Sequence, residues 1–412
     1  MSRRDLFRSR SIVSLLIAEI VSTTGSQMTW LALPWFVLVT TGSAARMSFV
    51  VGAELIGLAA LGFPGGRLLG HLGARRTMLL CDAARAPLML IIPVLHWTVG
   101  LSFAVLLVVA FALGAFAAPY FAAQKVIVPE LLGEDEKRVS EATALFQAAT
   151  RVTLLLGPAL AGVLIGVMGA TSVLVVDACT YLVSLVLVLL FVPKRPPIKQ
   201  EKEDRSIKRG IMFIVRDPLL RIWSPVFALG DAAWNAFFIT VPVLVLARFG
   251  HEPQIAGWLF AAFGVGAVIG NVITFRWLMS KYDGLAIITA CIMGQALPLW
   301  LLWLPVPAWA LAGALVVSGL ANGLVNPSLH AISMLRVPAA LRPNVMTTTM
   351  VFWALVNPLG VFLAGPILQE FGTTPVLVGF AAVQTVMMAA AGLAAARERG
   401  RKSAEPVLAE SA

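Results

Sequence analysis

Long apolar runs alternate with short polar breaks along the whole chain. Runs of 20 or more mainly apolar residues fall near 12–40, 47–70, 77–97, 101–125, 141–168, 171–193, 220–247, 254–280, 284–304, 307–331, 345–369 and 373–396. A helix needs roughly 20 such residues to cross ~30 Å of hydrocarbon. With no water in the bilayer core to satisfy the backbone, helix is the form these runs take. The pattern predicts an all-α integral membrane protein with twelve transmembrane helices.

Composition sharpens this reading. The 412 residues are 59% hydrophobic and only 13% charged, whereas soluble chains carry about a quarter charged residues. The mean hydropathy of +0.89 excludes a water-facing surface over most of the chain. The first run, from about Ser11 to Thr40, is too long for a signal-peptide core and is read as a retained span.

A net charge of +10 would suit nucleic acid if a folded domain presented it on one face. Here the cations sit in short connections, so no nucleic-acid partner is expected and the positive-inside rule accounts for them. A cytoplasmic N-terminus puts Arg3, Arg4, Arg8, Arg10, Arg75, Arg76, Lys137, Arg138, Lys281, Arg336, Arg342 and Arg397–Lys402 inside. It leaves Arg46 and Arg248 outside, so both termini are expected in the cytoplasm. Cys81, Cys179 and Cys291 lie far apart in apolar stretches and have neither metal-ligand spacing nor a disulfide framework.

The one long connection, Lys194 to Arg221, divides the spans six and six. Its first part is charged and contains proline, as a linker would. Its second part places Ile207, Ile211, Ile214 and Val215 on one helical face among basic residues, the pattern of an amphipathic helix on the inner leaflet. The halves also resemble each other. "LAGVLIGVMGATSVLV" from Leu160 pairs with "LAGPILQEFGTTPVLV" from Leu363, 203 positions on. The loops "VPELLGEDEKRVS" from Val128 and "VPAALRPNVM" from Val337 also match, as do Gly25-Ser26 before Pro34 and Gly230-Asp231 before Pro242. Matches in the same order indicate a duplicated six-helix unit. The expected organisation is a bundle over 1–193, a linker with an amphipathic segment over 194–219, a second bundle over 220–396 and a tail over 397–412. Two pseudo-symmetric six-helix bundles entering in the same orientation are a transporter plan, with the site expected near the midplane where the repeats meet.

Between the second and third spans stands "GRLLGHLGARR". Gly66, Leu68, Gly73, Arg75 and Arg76 resemble the signature loop of the major facilitator superfamily, roughly G-x-L-x-D-x-x-G-R-R, with Ala74 as an extra residue. The resemblance implies a gating loop that locks one state of the transporter. The acid of that pattern falls on Gly70 here, followed by His71, so the charge lock is expected to be weak or to come from another acid. Asp82, three residues before Arg85 and expected to pair with it, is the nearest candidate. In the fifth span "LLLGPALAG" resembles the glycine-proline motif of exporters of that superfamily, through Gly157, Pro158 and Gly162. "LALPWFVLVTTGSA", "VVDACTYLVSLVL" and "FIVRDPLLR" resemble its macrolide-efflux and enterobactin-export branch of drug:proton antiporters, over nearly the whole chain.

Ionisable residues inside spans cost about 2.5–3.5 kcal/mol each on insertion scales, so each is a functional candidate. Asp231, eleven residues into the seventh span and one turn from Asn235, ranks first as the proton carrier. Glu19 is its rival, on a polar face of the first span with Ser22, Thr23, Ser26 and Trp30. Arg151 is expected to be a buried counter-charge; Glu54 and Asp177 lie nearer the outer side, the latter expected to make a cap or interhelical hydrogen bond. Candidate cavity residues are Gln27, Trp30, Trp234, Asn235, Asn322, Asn326, Trp353 and Asn357, with His330 on the face of Asn322 and Asn326.

These readings converge on a secondary exporter of small amphiphiles (drug, macrolide or siderophore-like) by proton antiport in a bacterial inner membrane. No G-x-x-x-x-G-K-[ST] is present, so an ion or substrate gradient is the expected energy source. The expected partners are a small-molecule substrate, protons and lipid, with no cofactor or metal and a monomeric chain. An importer or lipid transporter fits the same fold. An intramembrane enzyme fits poorly: the four histidines are scattered, and neither H-E-x-x-H nor G-x-S-x-G occurs.

Overall fold

The computed structural model describes residues 9–133, 136–194 and 206–410; the side-chain surroundings at 63–67, 136 and 402–410 fall outside that set. All regular structure in the described residues is helical. In chain order the helices are α1 (Arg10–Thr41), α2 (Ala44–Leu72), α3 (Ala74–Trp97), α4 (Phe103–Leu132), α5 (Glu136–Met168), α6 (Ala170–Phe191) and α7 (Ile207–Arg216). They continue as α8 (Leu220–Phe249), α9 (Pro253–Ile273), α10 (Gly284–Cys291), α11 (Met293–Ala296), α12 (Ala308–Arg336), α13 (Arg342–Phe371) and α14 (Thr373–Glu410).

Among the described residues, eleven helical segments are long and apolar enough to cross a membrane. α1 is not one of them despite its 32 residues. Glu19, Ser22, Thr23, Ser26 and Gln27 interrupt its apolar run, and the same polar face is what makes it functionally interesting. The ninth expected span is broken: α10 and α11 pass into a 3-10 turn over Leu297–Leu301. Pro298 has no N–H to give to an α-helical ladder, and Pro305 and Pro307 follow. α9 ends in a π turn over Thr274–Leu278, where Thr274 Oγ1 donates to the Leu324 carbonyl at 3.1 Å.

Contacts divide the chain into two compact units, Met1–Glu201 with Val245–Gly257, and Lys202–Leu244 with Trp258–Ala412. The core of the first gathers Leu15, Met78, Tyr120, Ile127 and Val188. That of the second gathers Trp223, Ile288, Ile292, Val325 and Met388. Outward positions stay apolar: Val108 is 68% exposed, Leu190 67% and Trp309 78%, as expected where lipid rather than water is the solvent.

Lipid gives little hydrophobic drive for helix association, so close packing of small residues carries it. In the first unit a Cβ on Gly57 of α2 would lie 2.0 Å from the Phe111 carbonyl oxygen, and one on Gly114 of α4 would lie 1.9 Å from that of Glu54. The second unit repeats this with α9 and α12: Gly266 faces the Val316 carbonyl and Gly319 that of Phe263, at 2.1 and 2.0 Å. The second and fourth spans of each unit therefore cross backbone to backbone in the same way, as a duplicated unit requires.

α7 packs on α13 in the second unit. Gly210 is buried against Thr348 and the Asn344 carbonyl. Thr348 Oγ1 donates to the Ile207 carbonyl at 3.1 Å, and Asn344 Nδ2 to that of Ser206 at 3.3 Å. The apolar face expected there is divided: Phe213 and Ile214 pack with Leu220, Val337 and Val345, while Ile211, Met212 and Val215 stay exposed. The expected linker residues 195–205 lie outside the described set.

Candidate functional site

The turn between α2 and α3 is shorter than its sequence suggests. α2 runs on to Leu72, and Gly73 is the single residue between the helices, with φ +77° and ψ 162°. Gly66 is thus within a helix rather than in the turn, and its surroundings fall outside the described set. Gly70 is exposed, and a Cβ there would meet nothing within 4 Å. The acid that serves this junction comes from α4: Glu130 accepts from the Ala74 N–H through both oxygens at 3.3 Å. A carboxylate at a helix N-terminus answers both an orphan donor and the dipole. Arg75 is buried and serves the other end of a helix, donating through Nε to the Val192 carbonyl at 2.6 Å and through Nη2 to that of Leu189 at 2.8 Å. Arg76 is exposed.

Asp82 and Arg85 lie deep in α3, 0% and 4% exposed, and do not form the ion pair their spacing suggests. α6 takes both groups. Ser184 Oγ donates to Asp82 Oδ2 at 2.7 Å. Arg85 Nη2 donates to the Tyr181 hydroxyl at 2.7 Å and to Ser26 Oγ of α1 at 3.0 Å. The guanidinium also lies over the rings of Tyr181 and Tyr120, 4.0 and 5.2 Å from their centroids. Such cation–π contacts are worth about 2 kcal/mol or more when desolvated. Asp82 Oδ1 and Arg85 Nε are buried without a hydrogen-bond partner.

Two further acids join this interior. Glu19 of α1 accepts from Thr23 at 3.3 Å, from Thr150 of α5 at 3.4 Å and from Gln124 of α4. Asp177 of α6 makes the expected interhelical bond: Thr29 donates to it at 2.5 Å and Thr180 at 3.1 Å. Gly25 of α1 fits against Asp177 and Thr180 with no room for a side chain. Glu54 is half-buried, within electrostatic reach of Arg85 and Asp177. Arg151, in contrast, is exposed; it is Thr153 that the phase of α5 turns inward, so the expected buried counter-charge is not there. The buried cation beside these acids is Arg85.

The glycine-proline segment of α5 sets helix contacts. A Cβ on Gly157 would lie 2.3 Å from the Gln27 Cβ of α1. Its counterpart Gly360, 203 positions on, meets the Ala232 carbonyl of α8 on α13. Gly162 faces the backbone of Pro253 and Gly257, which group with the first unit, and the Pro158 carbonyl also faces Gly257.

In the second unit Asp231 is exposed on α8 and accepts from Trp353 Nε1 of α13 at 2.8 Å. Asn235 Nδ2 donates to the Asp231 carbonyl at 2.9 Å and to Asn357 Oδ1 at 3.1 Å. Asn357 is 1% exposed, and its own Nδ2 is unpartnered. Four of the expected cavity and coupling residues therefore form one polar group. Trp234 instead packs among Phe237, Phe238, Phe263 and Phe380, at ring distances of 4.6–6.1 Å. Asn326 donates to Asn322 at 2.8 Å, one turn apart on α12, and His330 is exposed. Trp30 is exposed and Gln27 half-buried on α1.

Sequence position alone did not reveal Tyr120, Tyr181, Ser184 or Gln124, nor that Arg336 ties helices together. One signal was available: the chain has three tyrosines, and two of them face Arg85. Arg336 bonds Asp217 at 2.9 Å and Glu398 at 2.6 Å, joining the start of α8 to α12 and α14.

The family described as Major Facilitator Superfamily matches residues 15–361 and 231–410. The multidrug efflux pump Tap of Mycolicibacterium fortuitum is 26% identical over 377 residues, covering 88% of this chain and 90% of that protein. The pump of the same name from Mycobacterium tuberculosis (strain ATCC 25618 / H37Rv) is 22% identical over 372 residues, covering 87% of each. Among solved structures, nucleoside transporter NupG superposes with a TM-score of 0.74 at 14% identity, covering 93% of this chain and 98% of that one. At that identity the likeness speaks for the fold.

Proposed function

Since the chain belongs to the major facilitator superfamily, whose members are transporters, we propose that it is a secondary exporter of small amphiphilic molecules, driven by proton antiport through alternating access. The observation that carries this reading is the near full-length similarity to multidrug efflux pumps in a chain that also holds carboxyl groups inside its spans, Glu19, Asp82 and Asp177 in one unit and Asp231 in the other. A carboxyl group that crosses between neutral and charged forms inside a low-dielectric protein changes the energy of its surroundings by several kcal/mol. That is enough to bias one conformation over another.

Asp231, Trp353, Asn235 and Asn357 offer the contacts an amphiphilic cargo needs: a carboxylate, an aromatic face and amide donors. The distribution of basic residues among the loops supports an orientation with both termini in the cytoplasm, and the similarity to bacterial efflux pumps supports a bacterial inner membrane. The Gly70 substitution weakens the lock of the gating loop, and the Gly157–Pro158 segment favours export over import.

Direction and orientation are tested together. Everted vesicles with an acid interior should accumulate ethidium or radiolabelled erythromycin, and right-side-out vesicles should not. A cysteine at Arg248 should react with an impermeant reagent from outside, while one at Arg342 should not. Accumulation confined to right-side-out vesicles would make the protein an importer.

A further inference from the structure

Resting on the proton-antiport reading, we infer that the proton route lies within the first unit, along a buried file of side chains from Glu19 through Asp82 to Asp177, with Arg85 as its fixed counter-charge. The file follows α1 turn by turn at Glu19, Ser22, Ser26 and Thr29, and the antiparallel α6 at Ser184, Tyr181 and Asp177. From Glu19 to Thr29 is ten residues, ~15 Å of helix, or about half the ~30 Å hydrocarbon thickness.

The links are short. Asp177 holds Thr29 and Thr180. Ser26 and Tyr181 share a hydrogen bond at 3.1 Å and both receive Arg85. Asp82 receives Ser184, which lies 3.4 Å from the Tyr120 hydroxyl. Glu19, bonded by Gln124, Thr23 and Thr150, stands at the other end within electrostatic reach of Asp82 rather than in direct contact with it. Hydroxyl groups suit a relay because each can donate and accept at once. Asp82 Oδ1 and Arg85 Nε, three residues apart on one face of α3, are an acceptor and a donor left unused. A water or a further proton can enter there.

Charge balance separates this set from an ordinary structural network. Glu19, Asp82 and Asp177 are 5% exposed or less, and Glu54 of α2 lies within electrostatic reach of the same cation. Tyr120 and Tyr181 also face it, Cys81 lies within its electrostatic reach, and the other elements packed here, α4 and α5, contribute Gln124 and Thr150. One guanidinium compensates one carboxylate. An uncompensated buried carboxylate is costly, and a proton taken up by one of the remaining acids relieves that cost. A site with more acids than cations, linked by hydroxyls, stores exchangeable protons. Asp231, which ranks first by sequence position, then serves the cargo.

The test uses the full-length protein in everted vesicles with an acid interior and ethidium as probe. Asp82→Asn should reduce gradient-driven accumulation at least tenfold and flatten its pH profile, while ethidium exchange without a gradient stays within twofold of wild type. Asp82→Glu should restore the gradient response. Ser184→Ala, which removes a link but no charge, should slow gradient-driven uptake with exchange intact, and it decides the matter if Asp82→Asn does not insert. A wild-type gradient response in both Asp82→Asn and Ser184→Ala would remove the route. Equal loss of exchange and accumulation, without rescue by Asp82→Glu, would make the network a structural strap. If wild type itself ignores the gradient, the antiport reading falls first, and the route falls with it.

Discussion

Gly73 alone makes the turn between α2 and α3, in backbone geometry that a side chain tolerates poorly (φ +77°, ψ 162°). Residues held in that region cost about 1–3 kcal/mol. Gly73→Leu should therefore lower the thermal midpoint of the detergent-purified protein by several degrees and impair transport. Gly70→Asp, with open space around its Cβ, should leave the midpoint within a degree of wild type; an equal loss in both variants would contradict this account of the turn. At this scale the sequence disclosed charges but not their partners. Asp82, Arg85 and Asp177 stand out as ionisable residues in apolar runs. Their partners Ser184, Tyr181 and Thr29 come from about 100 to 150 residues away, and only folding brings them together. Arg151 was misread for a related reason: within an apolar run, nothing says which face of α5 turns inward.

The elements were more legible, since an apolar run of about 20 residues has one stable form in a bilayer. What the pattern concealed were departures from the straight helix. The break at Leu297–Leu301 depends on one proline, and the π turn at Thr274–Leu278 on a hydroxyl that finds a carbonyl on α12. The junction of α7 and α8 was also hidden. There Asp217 caps α8 through the N–H groups of Leu219 and Leu220 and receives Arg336. Arg336 also reaches Glu398, so one cation ties three helices of the second unit. Hydrogen bonds to charged groups contribute about 1.5–3 kcal/mol. Arg336→Ala should lower the thermal midpoint of the purified protein, with Arg336→Lys recovering part of the loss. Because this pair is partly exposed, high salt should narrow the difference between wild type and Arg336→Ala. An unchanged midpoint in Arg336→Ala would show that the tie adds no stability.

For the whole molecule, duplication was visible in matched segments 203 residues apart, and it reappears in the way Gly57 and Gly114, and then Gly266 and Gly319, admit a neighbouring backbone. The two copies have since diverged in chemistry. The first encloses three buried carboxyl groups, Glu19, Asp82 and Asp177, near Arg85; in the second the carboxyl group that stands with the expected cavity residues is Asp231, exposed beside a tryptophan. That asymmetry suits a division of labour, with protons in one unit and cargo in the other. The most direct test is cargo-dependent proton movement. Purified protein is reconstituted into liposomes with an acid interior and an internal pH-sensitive dye, and ethidium is then added outside. In the population whose cytoplasmic face points outward, the wild type should alkalinise the interior as ethidium enters, faster than empty liposomes and in proportion to ethidium taken up. Ethidium uptake with no change in internal pH would contradict proton antiport.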